Sequence, residues 1–295
     1  MKTVQMLTKR NMKLYFRDRT TVFFSMLTIL IIILLNVIFL GKMNVDTIVS
    51  QYPNLEEEAR YFVNTWVLAG IIYTSTLTVP LAVIGVMIED EEQKRMKAFS
   101  TSPVKRINLT LGYIFSAFFT GVFMSIFTLF LSQLYIFFTG NEILNIQALI
   151  KVILIIILNV FCNASIMFFF VSFIKTASSF SALNIILGTL IGFLAAIYLP
   201  FGALATSIQK LLAFLPFLHG ASLIRSFYTS TSLFHLFQGA PDTLRDEYSD
   251  TMGITINLGH GQISFIHQCS FLIICAILCI VLSAFVLSKK NGSDR

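Results

Sequence analysis

Charge is scarce in this chain. Only 12% of its 295 residues are Asp, Glu, Lys or Arg, against roughly 25% in soluble domains. With 56% hydrophobic residues and a mean hydropathy of +0.81, its apolar runs exceed what a soluble core absorbs, and it reads as an integral membrane protein. Nucleotide-binding motifs are missing too. No GxxxxGK[ST] phosphate loop occurs, and Gly41-Lys42 has neither the upstream glycine nor the following Ser or Thr. His219, His235, His260 and His267 are scattered and form no HExxH pattern, so no metal site is expected. Gly259-His260-Gly261 reads as a turn, and Gly220-Ala221-Ser222 does not complete the GxSxG elbow of a hydrolase. The four cysteines (Cys162, Cys269, Cys275, Cys279) lie in or beside apolar runs without ligand spacing and read as small apolar side chains. No catalytic residue is expected.

What is present is an all-α membrane protein of six predicted spans, at about 22–40, 62–88, 109–138, 148–174, 180–198 and 263–287, each near or above the roughly 20 residues that cross a bilayer. The first run is too long for a signal peptide and has no small-residue cleavage site. Trp66 stands near the start of span two as an interfacial anchor, and Pro80 and Gly85 are positions for a kink near its end. Tyr73, Thr74, Ser75, Thr76 and Thr78 put hydroxyls inside the membrane, where they serve helix packing first and a pathway second. Asn159 and Asn163 share a face of span four. Ionisable groups are nearly absent from the spans, with only His267 and Lys151 close to ends. Ion-driven transport needs such groups and is disfavoured, so a transporter of this build takes its energy through a contact outside the membrane.

Two segments can make that contact. Residues 1–21 predict an amphipathic interfacial helix, with Val4, Leu7, Met12, Leu14, Tyr15 and Phe16 on one face. Lys2, Lys9, Arg10, Lys13 and Arg17 gather on the other, toward lipid phosphates or a partner. The island at 89–106 begins with Glu89, Asp90, Glu91 and Glu92 and continues with Lys94, Arg95, Lys97, Lys105 and Arg106. Hydrocarbon rejects that density of charge, at about 2.5–3.5 kcal/mol per group, so the island is expected in water or against another protein. Acid before base suits a short helix of its own, and Ser102-Pro103 reads as the N-cap and first position of the next helix. The connection at 199–262 is broken at Leu199-Pro200-Phe201-Gly202 and holds an apolar stretch, Leu211 to Leu218, too short to cross, which predicts a re-entrant or interfacial hairpin. The N-terminus, the island, Lys175 and the C-terminal tail hold 15 of the 21 Lys and Arg but 6 of the 15 acidic residues. That distribution puts both termini and the island in the cytoplasm.

In order and length nearly the whole chain resembles the membrane (permease) subunit of type-2 ABC exporters, the family of drug, haemolysin and cell-surface polymer exporters. The residues that carry the resemblance are the basic stretch Lys9 to Arg19, the segment from Glu89 through Arg95 to Ser102-Pro103, and the broken apolar segment between spans five and six. The resemblance implies a bacterial cell-membrane half-transporter that pairs with a second copy of itself or a related permease. It would bind two copies of a separate ATPase subunit, with ATP and magnesium held there and no cofactor in this chain. Glu89, Asp90, Glu91, Glu92, Arg95, Lys97, Ser102 and Pro103 would form a coupling helix received by the ATPase. Lys9, Arg10, Lys13, Arg17, Asp18 and Arg19 would make a second contact. Substrate would pass along the dimer interface past Tyr73, Thr74, Thr76 and Asn184. The 30 Phe suit an amphipathic or apolar cargo such as a drug, peptide toxin or lipid-linked molecule, and no nucleic acid is implied. Two other readings stay open: an ion-driven secondary transporter or channel, and a non-transporting scaffold or immunity subunit.

Overall fold

The structure is a computed structural model that describes residues 2–23, 27, 45–46, 48–50, 53–93, 106–257 and 261–293. Among the described residues the architecture is helical, and the only extended pairing is an isolated bridge between Asn257 and Gln262. The helices are α1 (Lys2–Arg17), α2 (Glu56–Glu92), α3 (Arg106–Phe138), α4 (Ile146–Val171), α5 (Ala177–Leu194), α6 (Thr206–Ala213), α7 (Pro216–Tyr228), α8 (Ser230–Leu236), α9 (Asp242–Thr251) and α10 (Phe265–Ser293).

Local chemistry sets several of the starts. Glu56, Glu57 and Glu58 occupy the first turn of α2, where acidic groups meet the positive end of the helix dipole. The Asn145 side chain caps α4 by accepting from Ala148 N–H at 2.8 Å, and Thr176 caps α5 by accepting from Ser179 N–H at 3.2 Å. Pro216 opens α7 at the position where its missing N–H costs nothing.

Five described helices are long and apolar enough to cross a membrane: 56–92, 107–138, 146–171, 177–194 and 265–286. α6 and α7 make a sixth crossing only if counted together, and they meet at 89°. α2 is the axle of the bundle. It is buried on nearly every side, the signature of a helix that is apolar all round, and it packs against α1, α3, α4, α5, α7 and α8. α10 lies on α4. The outward faces of α5 and α10 stay exposed, with Ile185, Ile186 and Phe193 on one and Ile266, Ile274 and Ile277 on the other. Besides the main core, a small second cluster of Ala196, Phe201, Leu212, Leu218 and Ile256 fills the corner beneath the bent pair.

Several expectations need correction. The predicted first span at 22–40 lies almost wholly outside the described residues. α2 runs through Pro80 without a break and takes in Glu89 to Glu92 as its own last turn, so the acidic residues do not start a separate short helix. The remainder of the island, 94–105, lies outside the described residues. Span five ends at Leu194, not at 198, because Ala196 adopts a left-handed backbone (φ 50) that turns the chain out of the helix before Pro200. α1 is docked on α3 and α2 through Leu7, Thr8, Asn11 and Tyr15, while Phe16 and Met6 remain exposed. The packed stripe therefore follows the i, i+4, i+8 line and includes two polar residues that hydropathy assigned to neither face.

Candidate functional site

Where α1 crosses the end of α2, Arg10 grips Asp90 with both guanidinium nitrogens, at 2.6 and 2.8 Å. Tyr113 of α3 donates its hydroxyl to the same carboxylate at 2.6 Å. Asp90 is completely buried and Arg10 is 30% exposed. Arg10 also donates to Asn11 Oδ1 at 3.0 Å, so Asn11 helps hold the fork in place. The hydrogen bond with Asp90 raises the Arg10 pKa above its ordinary value, and the guanidinium stays charged.

The physical need for this cluster lies in the position of Asp90. The last turn of α2 contains Glu89, Asp90, Glu91 and Glu92 and no basic residue. A helix C-terminus carries partial negative charge and disfavours carboxylates. A buried carboxylate in that place requires a partner, because unpaired burial of charge costs several kcal/mol. Arg10 and Tyr113 satisfy it from two different helices. Asp90 is thus a structural joint and not part of an exposed acidic face. Glu89 and Glu92 are exposed and Glu91 is half-buried.

The other residues expected at this end divide similarly. Lys9, Lys13, Arg17 and Arg19 are exposed and present a basic strip beside the acidic turn. Asp18 accepts from the backbone of Thr20 and Thr21, both at 3.1 Å, and from the Thr21 hydroxyl at 2.6 Å. It is the N-cap of the helical turn that begins at Arg19, and the Thr21 hydrogen bond lowers its pKa. Arg95, Lys97, Ser102 and Pro103 lie outside the described residues.

Of the four expected pathway residues, three are gathered in the interior and one is remote. Thr76 donates to Tyr73 O at 2.6 Å and accepts from Asn163 Nδ2 at 2.9 Å. Thr74 donates back to Gly70 O at 3.0 Å. Tyr73 is fully buried against the point where α7 meets α4, and there Asn159 Nδ2 donates to Gly220 O at 3.1 Å. A Cβ on Gly220 would lie 2.1 Å from Asn159 Oδ1 and 2.6 Å from Tyr73 Cε2, so any larger residue would force those side chains to shift. These hydroxyls and amides act here as packing contacts between α2, α4 and α7. Asn184 is exposed on α5, away from them.

Two side chains that sequence reasoning passed over matter at opposite ends of α2. Tyr113 has no local signature, since a tyrosine in an apolar helix is common. Arg225 had one: it is a lone charge in an apolar stretch, and its solitude marks it. Arg225 meets the face of Trp66 at 4.7 Å. Trp66 stands 24 positions before Asp90 on α2, roughly 36 Å away along the helix. Among the described residues no group of His, Cys, Asp or Glu is arranged to hold a metal ion, and the four cysteines are free thiols.

A family model described as ABC-2 family transporter protein matches residues 41–285. No curated protein matches the chain. The family match covers most of the sequence, from before α2 to the end of the membrane part of α10, and the chain belongs to that family: it is a multi-pass membrane protein of the ABC-2 permease type.

Proposed function

We propose that this ABC-2 family permease is the membrane subunit of an exporter driven by a separate ATPase subunit. Two copies of the chain, or one copy and a related permease, span the cell membrane with both termini in the cytoplasm, and two ATPase subunits dock on the α1 end of the bundle. ATP and magnesium are bound and turned over on those subunits, and the chain itself moves an amphipathic or apolar cargo.

The observation that carries the reading is the arrangement at the α1 end. The exposed carboxylates of Glu89 and Glu92 and the exposed Lys9, Lys13 and Arg17 sit on two helices that Arg10 and Asp90 bind into one unit. A push on either surface reaches α2, which packs against most of the other helices. The segment 89–106 remains the proposed coupling element, with Glu89, Glu91, Glu92, Arg95, Lys97, Ser102 and Pro103 as its contact residues and Asp90 as its internal anchor. Export along an interface between two copies would use Asn184, on the open face of α5, before it used Tyr73, Thr74 or Thr76.

The test is purification from the native membrane in mild detergent, followed by an ATPase assay. A stoichiometric soluble partner with vanadate-sensitive hydrolysis supports the reading. A chain that emerges alone, with no hydrolysis across several detergents and with transport that follows an ion gradient, overturns it.

A further inference from the structure

Arg225, in the last turn of α7, is fully buried and pairs with no carboxylate among the described residues. Its guanidinium reaches main-chain oxygens instead: Nη2 donates to Ala196 O at 2.6 Å and Nη1 to Gly253 O at 3.4 Å. The two acceptors occupy equivalent places. α5 ends with Ile197 N–H on Gly192 O at 2.7 Å and Ala196 N–H on Phe193 O at 3.0 Å. α9 ends with Ile254 N–H on Ser249 O at 2.9 Å and Gly253 N–H on Asp250 O at 3.2 Å. Both are Schellman endings, with Ala196 (φ 50) and Gly253 (φ 65) at the left-handed position. In each, the carbonyl of the left-handed residue goes to Arg225.

This geometry explains how a cation is buried without a counter-ion. A helix C-terminus carries partial negative charge, so the two endings whose carbonyls converge on the guanidinium offset part of its positive charge. The Trp66 ring adds its negative face from below. The same corner is fastened further. Trp66 Nε1 donates to Met252 O at 2.8 Å, and Ser222 Oγ donates to Ile254 O at 2.7 Å. Three successive carbonyls after α9 are therefore taken by side chains of α2 and α7.

We propose that Arg225 is a clamp that makes the end of α5, the turn after α9 and the bent pair α6–α7 open and close as one unit. If either helix end left alone, the guanidinium would remain dry with one of its two carbonyl acceptors gone, which is the costly condition for a buried charge. If the parts leave together, or water enters the whole corner, no such intermediate is populated. The clamp follows from the geometry of this end of the bundle and does not depend on what the protein transports.

Hydrogen–deuterium exchange of the full chain in lipid nanodiscs tests this. The amides of 193–204 and 249–257 report directly, because those of Ala196, Ile197, Gly253 and Ile254 are bonded within the two endings. Arg225→Met should raise exchange in both segments together, by about tenfold or more, as expected when buried acceptors lose their donor, and leave α4 unchanged. Trp66→Phe keeps an aromatic face and removes only the bond to Met252, so with the clamp intact it should raise exchange in 249–257 and 193–204 together, and a rise confined to 249–257 in this variant would also overturn the proposal. Arg225→Lys, which keeps the charge without the planar fork, should raise both segments by less than Arg225→Met, and it serves if the Met variant does not fold. A rise in only one segment with either Arg225 variant, no change in either, or an equal rise throughout α4 would overturn the proposal.

Discussion

Arg10 and Asp90, eighty positions apart, meet in a two-point ion pair that fixes the N-terminal helix to the end of the central one. Asp90 has no access to water, so loss of Arg10 leaves a stranded charge. Arg10→Ala should destabilise the protein by about 3 kcal/mol, the low end for breaking a buried pair, since Arg10 is partly exposed. Replacing both partners with apolar residues (Arg10→Met with Asp90→Leu) should recover most of that loss. Unfolding titrations of the two single variants and the double variant, read as a cycle, check both statements.

The neighbours of Asp90 should behave oppositely. Glu89, Glu91 and Glu92 crowd a helix C-terminus, and converting them to Gln should leave stability unchanged or raise it by about 0.3–1 kcal/mol. Under the exporter reading the same triple variant should lose stimulation of the partner ATPase. Hydrolysis that stays fully coupled to export in this variant would remove the acidic turn from the partner contact.

Gly220→Ala should cost about 1–3 kcal/mol through overpacking. The new methyl would press on Asn159 and Tyr73 where α7 meets the bundle. Gly188→Ala is the control. Nothing lies within 4 Å of its added Cβ, and a helical Gly→Ala change there should stabilise by up to about 1 kcal/mol. Thermal unfolding of the two variants side by side distinguishes crowding from propensity.

Thr76→Val and Asn163→Leu should show a coupling of about 0.6 kcal/mol, the typical worth of a hydrogen bond between membrane helices, because the two side chains bond each other in the interior. Asn184→Leu should leave the unfolding of the single protomer unchanged within about 0.5 kcal/mol, since Asn184 is exposed. Its effect should instead be read in export, or in the association of two copies.

Most of the helical architecture could be read from hydropathy, because a span of about 20 apolar residues has few other solutions. The second, third, fourth and sixth predicted spans coincide with α2, α3, α4 and α10 to within a few residues at most ends. What hydropathy could not register was pairing between distant polar groups. Asp90 looked like one more member of a solvated run, since nothing in Glu-Asp-Glu-Glu separates the second residue from the rest. Only the packing of Asn11 and Leu7 against the bundle brings Arg10 to it. The early end of α5 was hidden for another reason. Proline at 200 is a visible stop signal, whereas a left-handed alanine at 196 is not, and its conformation is held by an arginine 29 residues further along. Arg225 was visible as a lone charge, but its partners are main-chain atoms, which the side-chain sequence does not encode.

That last property sets how the corner around Arg225 tolerates sequence drift. Every residue has a carbonyl, so substitutions at 196 and 253 can alter backbone geometry but cannot delete the acceptors. A salt bridge can be lost by mutation at either of two positions, whereas this joint can lose its shared donor at only one. The donor's heritable fragility is concentrated in a single codon, and random mutagenesis should find position 225 intolerant; position 253 should be restricted for a different reason, since a Cβ there would be strained at φ 65 and would lie 3.2 Å from Arg225 Nη1.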